Sequence, residues 1–336
     1  MRFNEFSEMV LPKIQDQMEV VISLAKQNNN DSLHQMLSYH LGWTNSKKGK
    51  PAQGKRIRPL ILLLSTETSG GNWQNAVAAA AAVELIHNFS LIHDDIEDES
   101  EYRRGRQTLW KIHGLPIAIN AGDALYSLSF ICLGELIKRN SFETSFQAFN
   151  LLSEACLAIT KGQHLDISFE TVNNITVSEY MEMIEGKTAS LLAMSAKLGA
   201  LIAGADSTSQ NLYYDIGKNL GLAFQVYDDI LGIWGKPEIT GKSTATDLIT
   251  RKKSLPILYG LSNNHIFREM WASDISADNI SLLADQLREE GAYDYSQGKA
   301  EEFTTAAIEA FDSANPSGQA VEAFQELINS LTQRKS

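Results

Sequence analysis

Apolar residues recur along this chain at three- and four-residue spacing, the period of a helix with one buried face. Ile14, Met18, Val21 and Leu24 form the first such stripe, and Pro12 is expected near the start of that helix. Asn75 to about Glu97 is an alanine-rich helical run, and Pro116–Lys138 opens on a proline suited to a first turn. Thr144–Phe169 continues the period. Thr176 with Glu179 makes a capping box ahead of a helix reaching about Ile202, and Ser209–Gly235 is another. No proline occurs between Pro116 and Pro237, and strand-like alternation is nowhere sustained. Three segments read as loops: Thr44–Gly54, Tyr102–Gly105 and Gly235–Lys253. The pattern predicts an all-α chain forming a single domain over 1–336. Its core covers about 54–260, and a more acidic helical segment spans about 263–336.

Composition narrows the function. The 336 residues are 43% hydrophobic, the range of an ordinary globular protein. Lys plus Arg is 29 against 41 for Asp plus Glu, a net charge of −12, which disfavours nucleic acid as a partner. An anionic ligand would need its basic residues gathered locally. Cys132 and Cys156 are too few for a disulfide framework or a four-sulfur zinc site, and each reads as a buried thiol in a reducing compartment. Acids interrupt the N-terminus where a signal peptide carries its apolar core. The most apolar stretches, Ala76–Ile92 and Ser190–Gly204, are broken by Glu84, His87, Asn88 and Lys197, so no membrane span is expected. These features predict a soluble cytoplasmic protein.

Candidate chemistry sits in two acid clusters. His93-Asp94-Asp95-Ile96-Glu97-Asp98 ends an otherwise apolar helical run. Asp94 and Asp98, four apart, share a helix face, where like charges cost a few tenths of a kcal/mol unless a cation sits between them. Hard oxygen ligands so spaced suit Mg²⁺, which takes a few carboxylates together with waters and phosphate oxygens. Asp228-Asp229 ends a second apolar run, 134 positions after Asp94, as expected of acids facing each other across a helical bundle. Bases accompany both clusters: Lys55, Arg56 and Arg58 before the apolar Leu60–Leu64, Arg103 and Arg104 after the first cluster, Lys187 within a helical stretch, and Lys242, Lys252 and Lys253 after the second. Arginine forks and mobile lysines are the side chains that bind phosphate oxygens. Nucleotide-binding glycine motifs are absent.

The combination Gly54-Lys55-x-x-Arg58-Pro59, Asp94-Asp95-x-x-Asp98 followed by Arg103-Arg104-Gly105, and Phe224-Gln225-x-x-Asp228-Asp229 resembles the trans-isoprenyl diphosphate synthases, the polyprenyl synthetase family. The resemblance spans Gly54 to Pro256 and implies an isoprenoid-synthase helical bundle around a central apolar cavity. It also implies a homodimer, three Mg²⁺ per site, and head-to-tail 1′-4 condensation of isopentenyl diphosphate with an allylic diphosphate. By the same resemblance Asp94, Asp98 and Asp228 hold the metal, and Lys55, Arg58, His87 and Arg104 hold isopentenyl diphosphate. Arg103, Lys187, Lys242 and Lys252 neutralise the allylic diphosphate, while Thr188 and Gln225 flank the nascent cation. Asp229 and Gln163 are secondary assignments.

The second motif departs from the family's usual DDxxD: Gly232 stands where its last aspartate belongs, so Asp228 lacks its partner one turn on. On that basis Gly232→Asp is expected to restore the pair. Leu231-Gly232-Ile233-Trp234-Gly235 is similar to bacterial members that include encapsulin cargo, which implies an encapsulin shell as a partner. Against encapsulation, the long N-terminal extension typical of that cargo is absent here. A large aromatic, Phe89, five before the first motif, with small Ser90 four before it, resembles geranylgeranyl diphosphate synthases. A twenty-carbon product is therefore expected, with the farnesyl product as the alternative. A class I terpene cyclase and a non-catalytic prenyltransferase-like subunit are the competing readings. The second diphosphate's bases argue against the first, and the intact set of bases against the other.

Overall fold

In a computed structural model, residues 1–27, 31–44, 54–172, 174–235, 245–263, 265–273 and 279–332 are described. In chain order the helices are α1 Phe3–Ile22, α2 Ser32–His40, α3 Ile57–Thr68, α4 Val77–Glu97, α5 Leu109–His113, α6 Leu115–Gly134, α7 Phe142–Thr171, α8 Val177–Ile184, α9 Ser190–Ile202 and α10 Ser207–Trp234. After them come α11 Thr246–Ile249, α12 Leu255–Asn263, α13 His265–Ala272, α14 Ile280–Glu289, α15 Ala292–Ser313 and α16 Val321–Thr332. The only strands among the described residues, β1 Tyr102–Arg103 and β2 Arg106–Gln107, form one antiparallel hairpin that starts in the predicted loop Tyr102–Gly105 and runs two residues past it. The chain divides into two compact units: residues 1–156, 194–213 and 314–324, and residues 157–193, 214–313 and 325–336.

In the first unit α4 is the central element. Its alanines 79–82, with Leu85 and Ile86, are fully buried, so the alanine run is a close-packing surface. Gly122 of α6 lies so near His93 that a Cβ there would come within 2.3 Å of the ring nitrogen. Gly199 likewise rests on the Leu62 carbonyl of α3. α1 starts earlier than expected because the Glu5 carboxylate accepts the Arg2 backbone N–H at 2.9 Å. Pro12 therefore sits inside α1, on its exposed side, where the lost N–H costs least. Leu24, placed on the buried stripe by spacing, is 62% exposed, because the helix tightens into a 3₁₀ turn over Ser23–Ala25.

In the second unit Tyr180, Met183 and Ile184 of α8 pack with Leu222, Val226 and Ile230 of α10. The predicted capping box is present: the Thr176 hydroxyl accepts the Glu179 N–H at 3.2 Å, and Glu179 accepts the Thr176 N–H at 2.8 Å. Gly217 and Gly221, one turn apart on α10, lie against Leu192 and Ala189.

By length and composition alone, two helical stretches could cross a membrane: Trp73–Glu97 and Leu115–Lys138. The first contains the Ala76–Ile92 stretch that Glu84, His87 and Asn88 interrupt. The first is mostly buried, as a core helix is; the second is less so, and Ile117, Ile131 and Ile137 lie exposed along it.

Candidate active site

The first unit gathers the residues expected to hold metal and isopentenyl diphosphate. α4 is buried along its body and reaches solvent at its C-terminal end, so Asp94 is half-buried and Asp98 exposed. The Asp98 N–H donates to the Asp94 carbonyl at 2.8 Å, one helical turn apart on one face. Asp95, between them, is buried and accepts from Arg103 Nε at 2.7 Å. Burial raises the Asp95 carboxyl above its ordinary range, and Arg103 opposes that shift. Arg103 thus answers an acid of the motif itself.

Arg58 and His87 meet at 3.3 Å, Nη1 to Nε2. A guanidinium only donates, so Nε2 accepts and the His87 proton belongs on Nδ1. Burial first, then Arg58, Arg104 and Arg103, hold His87 well below its usual pKa, and the ring is neutral. Arg104 occupies the left-handed region at φ 52°, and its guanidinium passes over Gly54, where a Cβ would meet Nη2 at 2.5 Å. The motif glycine leaves the guanidinium this space, which a side chain there would make it give up. Lys55 is exposed at the entrance to α3. Phe89 does not lie along the Asp94 face. Its ring packs edge-on against His93 at 4.8 Å and Tyr126 of α6 at 5.2 Å, and the row continues through Phe130 to Phe149. Ser90 does share the Asp94 face one turn deeper, its hydroxyl folded onto the His87 carbonyl at 2.9 Å.

The second unit gathers the other set. Between α8 and α9 the chain winds as a π-helix over Glu185–Ala189, a distortion that often marks functional positions. Gly162 of α7 makes room for it: a Cβ there would fall 2.1 Å from the Lys187 nitrogen. Lys187 pairs with Asp166, one turn after Gly162. Thr188 donates to Gln225 Oε1 at 2.9 Å, and Gln225 Nε2 donates to Asp229 at 3.1 Å. Asp229 is buried and also accepts from the Tyr180 hydroxyl and, at 3.1 Å, from the Leu255 N–H. Burial lifts its pKa to about 6 against the pull of Lys252. Asp228 is exposed. Crowding by protein atoms works against the Lys252 ammonium, but Asp229, Asp247, Asp166 and Asp228 together raise its pKa.

Not every expected residue joins a cluster. Lys242 lies outside the described residues. Lys253 turns away and donates to the Phe169 carbonyl at 2.6 Å, closing the end of α7. Gln163 is buried on α7. Sequence reading missed the acids that hold the bases: Glu84, Asp166 and Asp247, together with Tyr180 and His40. Glu84 is buried on α4, its pKa raised by burial and lowered by Arg56 and Arg58. His40 is driven down to about 3 by burial and by Arg103, Arg104 and Arg106. Glu84 alone left a trace, as a charge inside an apolar run.

The fold sets the class first. It is the helical isoprenyl-synthase architecture, shared with the crystal structure of polyprenyl synthetase from Streptomyces coelicolor A3(2) at a TM-score of 0.86, 33% identity and 98% coverage of each chain. The chain belongs to the polyprenyl synthetase family, whose pattern matches residues 45–282, and it is a prenyltransferase. It is 36% identical over 286 residues to the (2E,6E)-farnesyl diphosphate synthase of Mycobacterium tuberculosis (strain ATCC 25618 / H37Rv), covering 82% of this chain and 78% of that protein. It is also 36% identical over 265 residues to the geranylgeranyl diphosphate synthase of Sulfolobus acidocaldarius, covering 77% of this chain and 80% of that protein. Short-chain trans-prenyl transfer is the activity these relatives support.

Proposed function

We propose that this chain is a cytoplasmic, Mg²⁺-dependent geranylgeranyl diphosphate synthase that joins isopentenyl diphosphate to allylic diphosphates and works as a homodimer. The observation that carries the reading is the end of α4: Asp94 and Asp98 reach solvent one turn apart, with Arg103 held beside them by buried Asp95. Among the described residues no group of three or more His, Cys, Asp or Glu side chains is placed to cage a metal. That fits Mg²⁺, which takes one or two carboxylates and completes its shell with water and phosphate, and does not fit a closed zinc site. When bound, Mg²⁺ would supply positive charge against the departing diphosphate.

The chain's own residues do the rest. Lys187 and Lys252 in the second unit, and Arg103 in the first, each offer positive charge to a diphosphate, and such charge favours the transition state because charge on the leaving group grows there. Thr188 and Gln225, tied to each other, set polar groups of fixed orientation beside the forming cation. Lys55, Arg58 and Arg104, with neutral His87, orient isopentenyl diphosphate so that its double bond attacks C1. The C2 proton then leaves, with the released diphosphate as a sufficient base. Ser90 leaves room beneath Asp94, and Phe89 with Tyr126 supplies aromatic bulk at the depth expected for a twenty-carbon tail. The exposed apolar side chains of α6 and early α7, among them Ile131, Phe142 and Phe146, suit the face of a second copy.

The purified chain, given Mg²⁺, isopentenyl diphosphate and each allylic primer, should release mainly the twenty-carbon product, and Asp94→Ala should lower turnover by orders of magnitude with the helical spectrum unchanged. Near-normal turnover in Asp94→Ala would remove the metal reading. A monomer by sedimentation would remove the dimer.

A further inference from the structure

Gly232 stands one turn after Asp228 on α10, so a side chain there would share the Asp228 face. That space is taken. A Cβ on Gly232 would lie 2.6 Å from Asp247 Oδ2, 2.7 Å from Cγ and 2.8 Å from Oδ1, closer than such atoms approach. The Asp247 carboxylate is seated on the bare Cα. The seat is built from both sides: Thr246 donates to the Gly232 carbonyl at 3.4 Å, and the Asp247 carbonyl accepts the Lys252 N–H at 2.9 Å, folding Lys252 back over the same turn. The chain enters α11 through Ala245 at φ 59°, a left-handed conformation that a residue with a Cβ holds only when its surroundings impose it. Asp229 is buried and engaged by Tyr180, Gln225 and Leu255.

We infer that Asp247 supplies from α11 the carboxylate that α10 lacks one turn after Asp228, that Gly232 is kept without a side chain to admit it, and that Asp247 is a positioning residue for Lys252 and the metal–diphosphate end of the site. This rests on the proposed diphosphate reading of that half-site. It also changes the expectation for Gly232→Asp: a second carboxylate would be forced onto the one already present, displacing it instead of restoring a pair.

The test is calorimetric binding of inorganic pyrophosphate with Mg²⁺ to the full chain, alongside melting curves without ligand. Losing one charge-assisted contact should weaken binding roughly tenfold in Asp247→Asn and in Gly232→Ala. In the Asp247→Gly background Gly232→Ala should weaken it no further and should raise the melting temperature, because alanine favours a helix over glycine. The exchange Gly232→Asp with Asp247→Gly should bind several-fold better than Gly232→Asp alone. Should Gly232→Ala fail to fold, Asp247→Asn, which keeps the size of the side chain and adds no crowding, and the exchange, which relieves it, decide the matter. Unchanged binding in Asp247→Asn, or no rescue by the exchange, overturns the inference while the diphosphate reading stands. A parent chain that binds no Mg²⁺–pyrophosphate overturns both.

Discussion

Phe89→Ala separates a pocket floor from a packing residue. Phe89 is half-buried and meets two rings, His93 at 4.8 Å and Tyr126 at 5.2 Å. Each aromatic pair contributes ~0.5–1.5 kcal/mol, so the variant should lose about 2 kcal/mol, less than the ~3–5 kcal/mol for a fully buried Phe. Several degrees should be lost from the melting temperature. On the same face the next side chain is Leu85, fully buried and one turn deeper, about 6 Å along the axis. A tail no longer stopped at Phe89 therefore gains about one turn of helix, and the dominant product should lengthen by one five-carbon unit. Growth should halt there, because Tyr126, Phe130 and Phe149 remain packed edge-on or tilted at 5.1 and 5.0 Å. Mass spectrometry of the dephosphorylated alcohols reads the product, and thermal melting reads the packing. A lower melting temperature with an unchanged product distribution would refute the argument, leaving Phe89 as a residue that only joins α4 to α6.

Two further predictions follow from neighbouring geometry. Ser90→Phe places a ring about 6 Å below Asp94 on its own face and should shift the product toward fifteen carbons; an unshifted distribution would mean that the tail runs elsewhere. The second concerns pH: the folded Asp229 pKa, about 6 against an ordinary 3.8, means that the fold favours the protonated acid, so its stabilising contribution is complete below about 3.8 and lost as pH rises through about 6. The loss is about 3 kcal/mol, and the difference in urea midpoint between the metal-free parent and Asp229→Asn should vary between pH 4 and 6 and flatten above; a constant difference would refute it.

Most of the helical frame was legible because it rests on local physics. Thr176 and Glu179 cap a helix wherever they stand, and the apolar period through Ala76–Ile92 is that of a helix, as α4 is. Errors arose first at the helix ends, where a cap or a tightened turn decides. Leu24 keeps helical spacing yet lies exposed, and Pro12 entered a helix set by Arg2 and Glu5. The basic residues were legible as types but not as pairs, because Lys187 is 21 positions from Asp166 and no local rule joins them. Asp247 was the least visible of all. Nothing in a polar stretch of Gly, Lys and Thr indicates that one carboxylate will settle on a glycine 15 positions earlier.

Those pairs also explain how a chain with a net charge of −12 can serve anionic ligands. In each unit several of the bases face acids of the protein itself. Arg103 answers Asp95, Lys187 answers Asp166, Lys252 answers Asp229 and Asp247, and Arg56 and Arg58 lie near Glu84. An acid held within protein fixes its base in orientation, so little side-chain entropy remains to be lost when a diphosphate arrives. The same acid limits how far the base can move, since a buried carboxylate left alone costs several kcal/mol. Arg103 meets Asp95, 3% exposed, through Nε, which leaves its Nη groups for a second acceptor. Arginine suits such a shared role because its fork spans two acceptors at once. Arg103→Lys, keeping the charge but offering one nitrogen, should therefore lose either the buried acid or the ligand: a fall in melting temperature or a rise in KM for the allylic diphosphate. Wild-type values for both would show that charge alone, without the fork, is what the site uses.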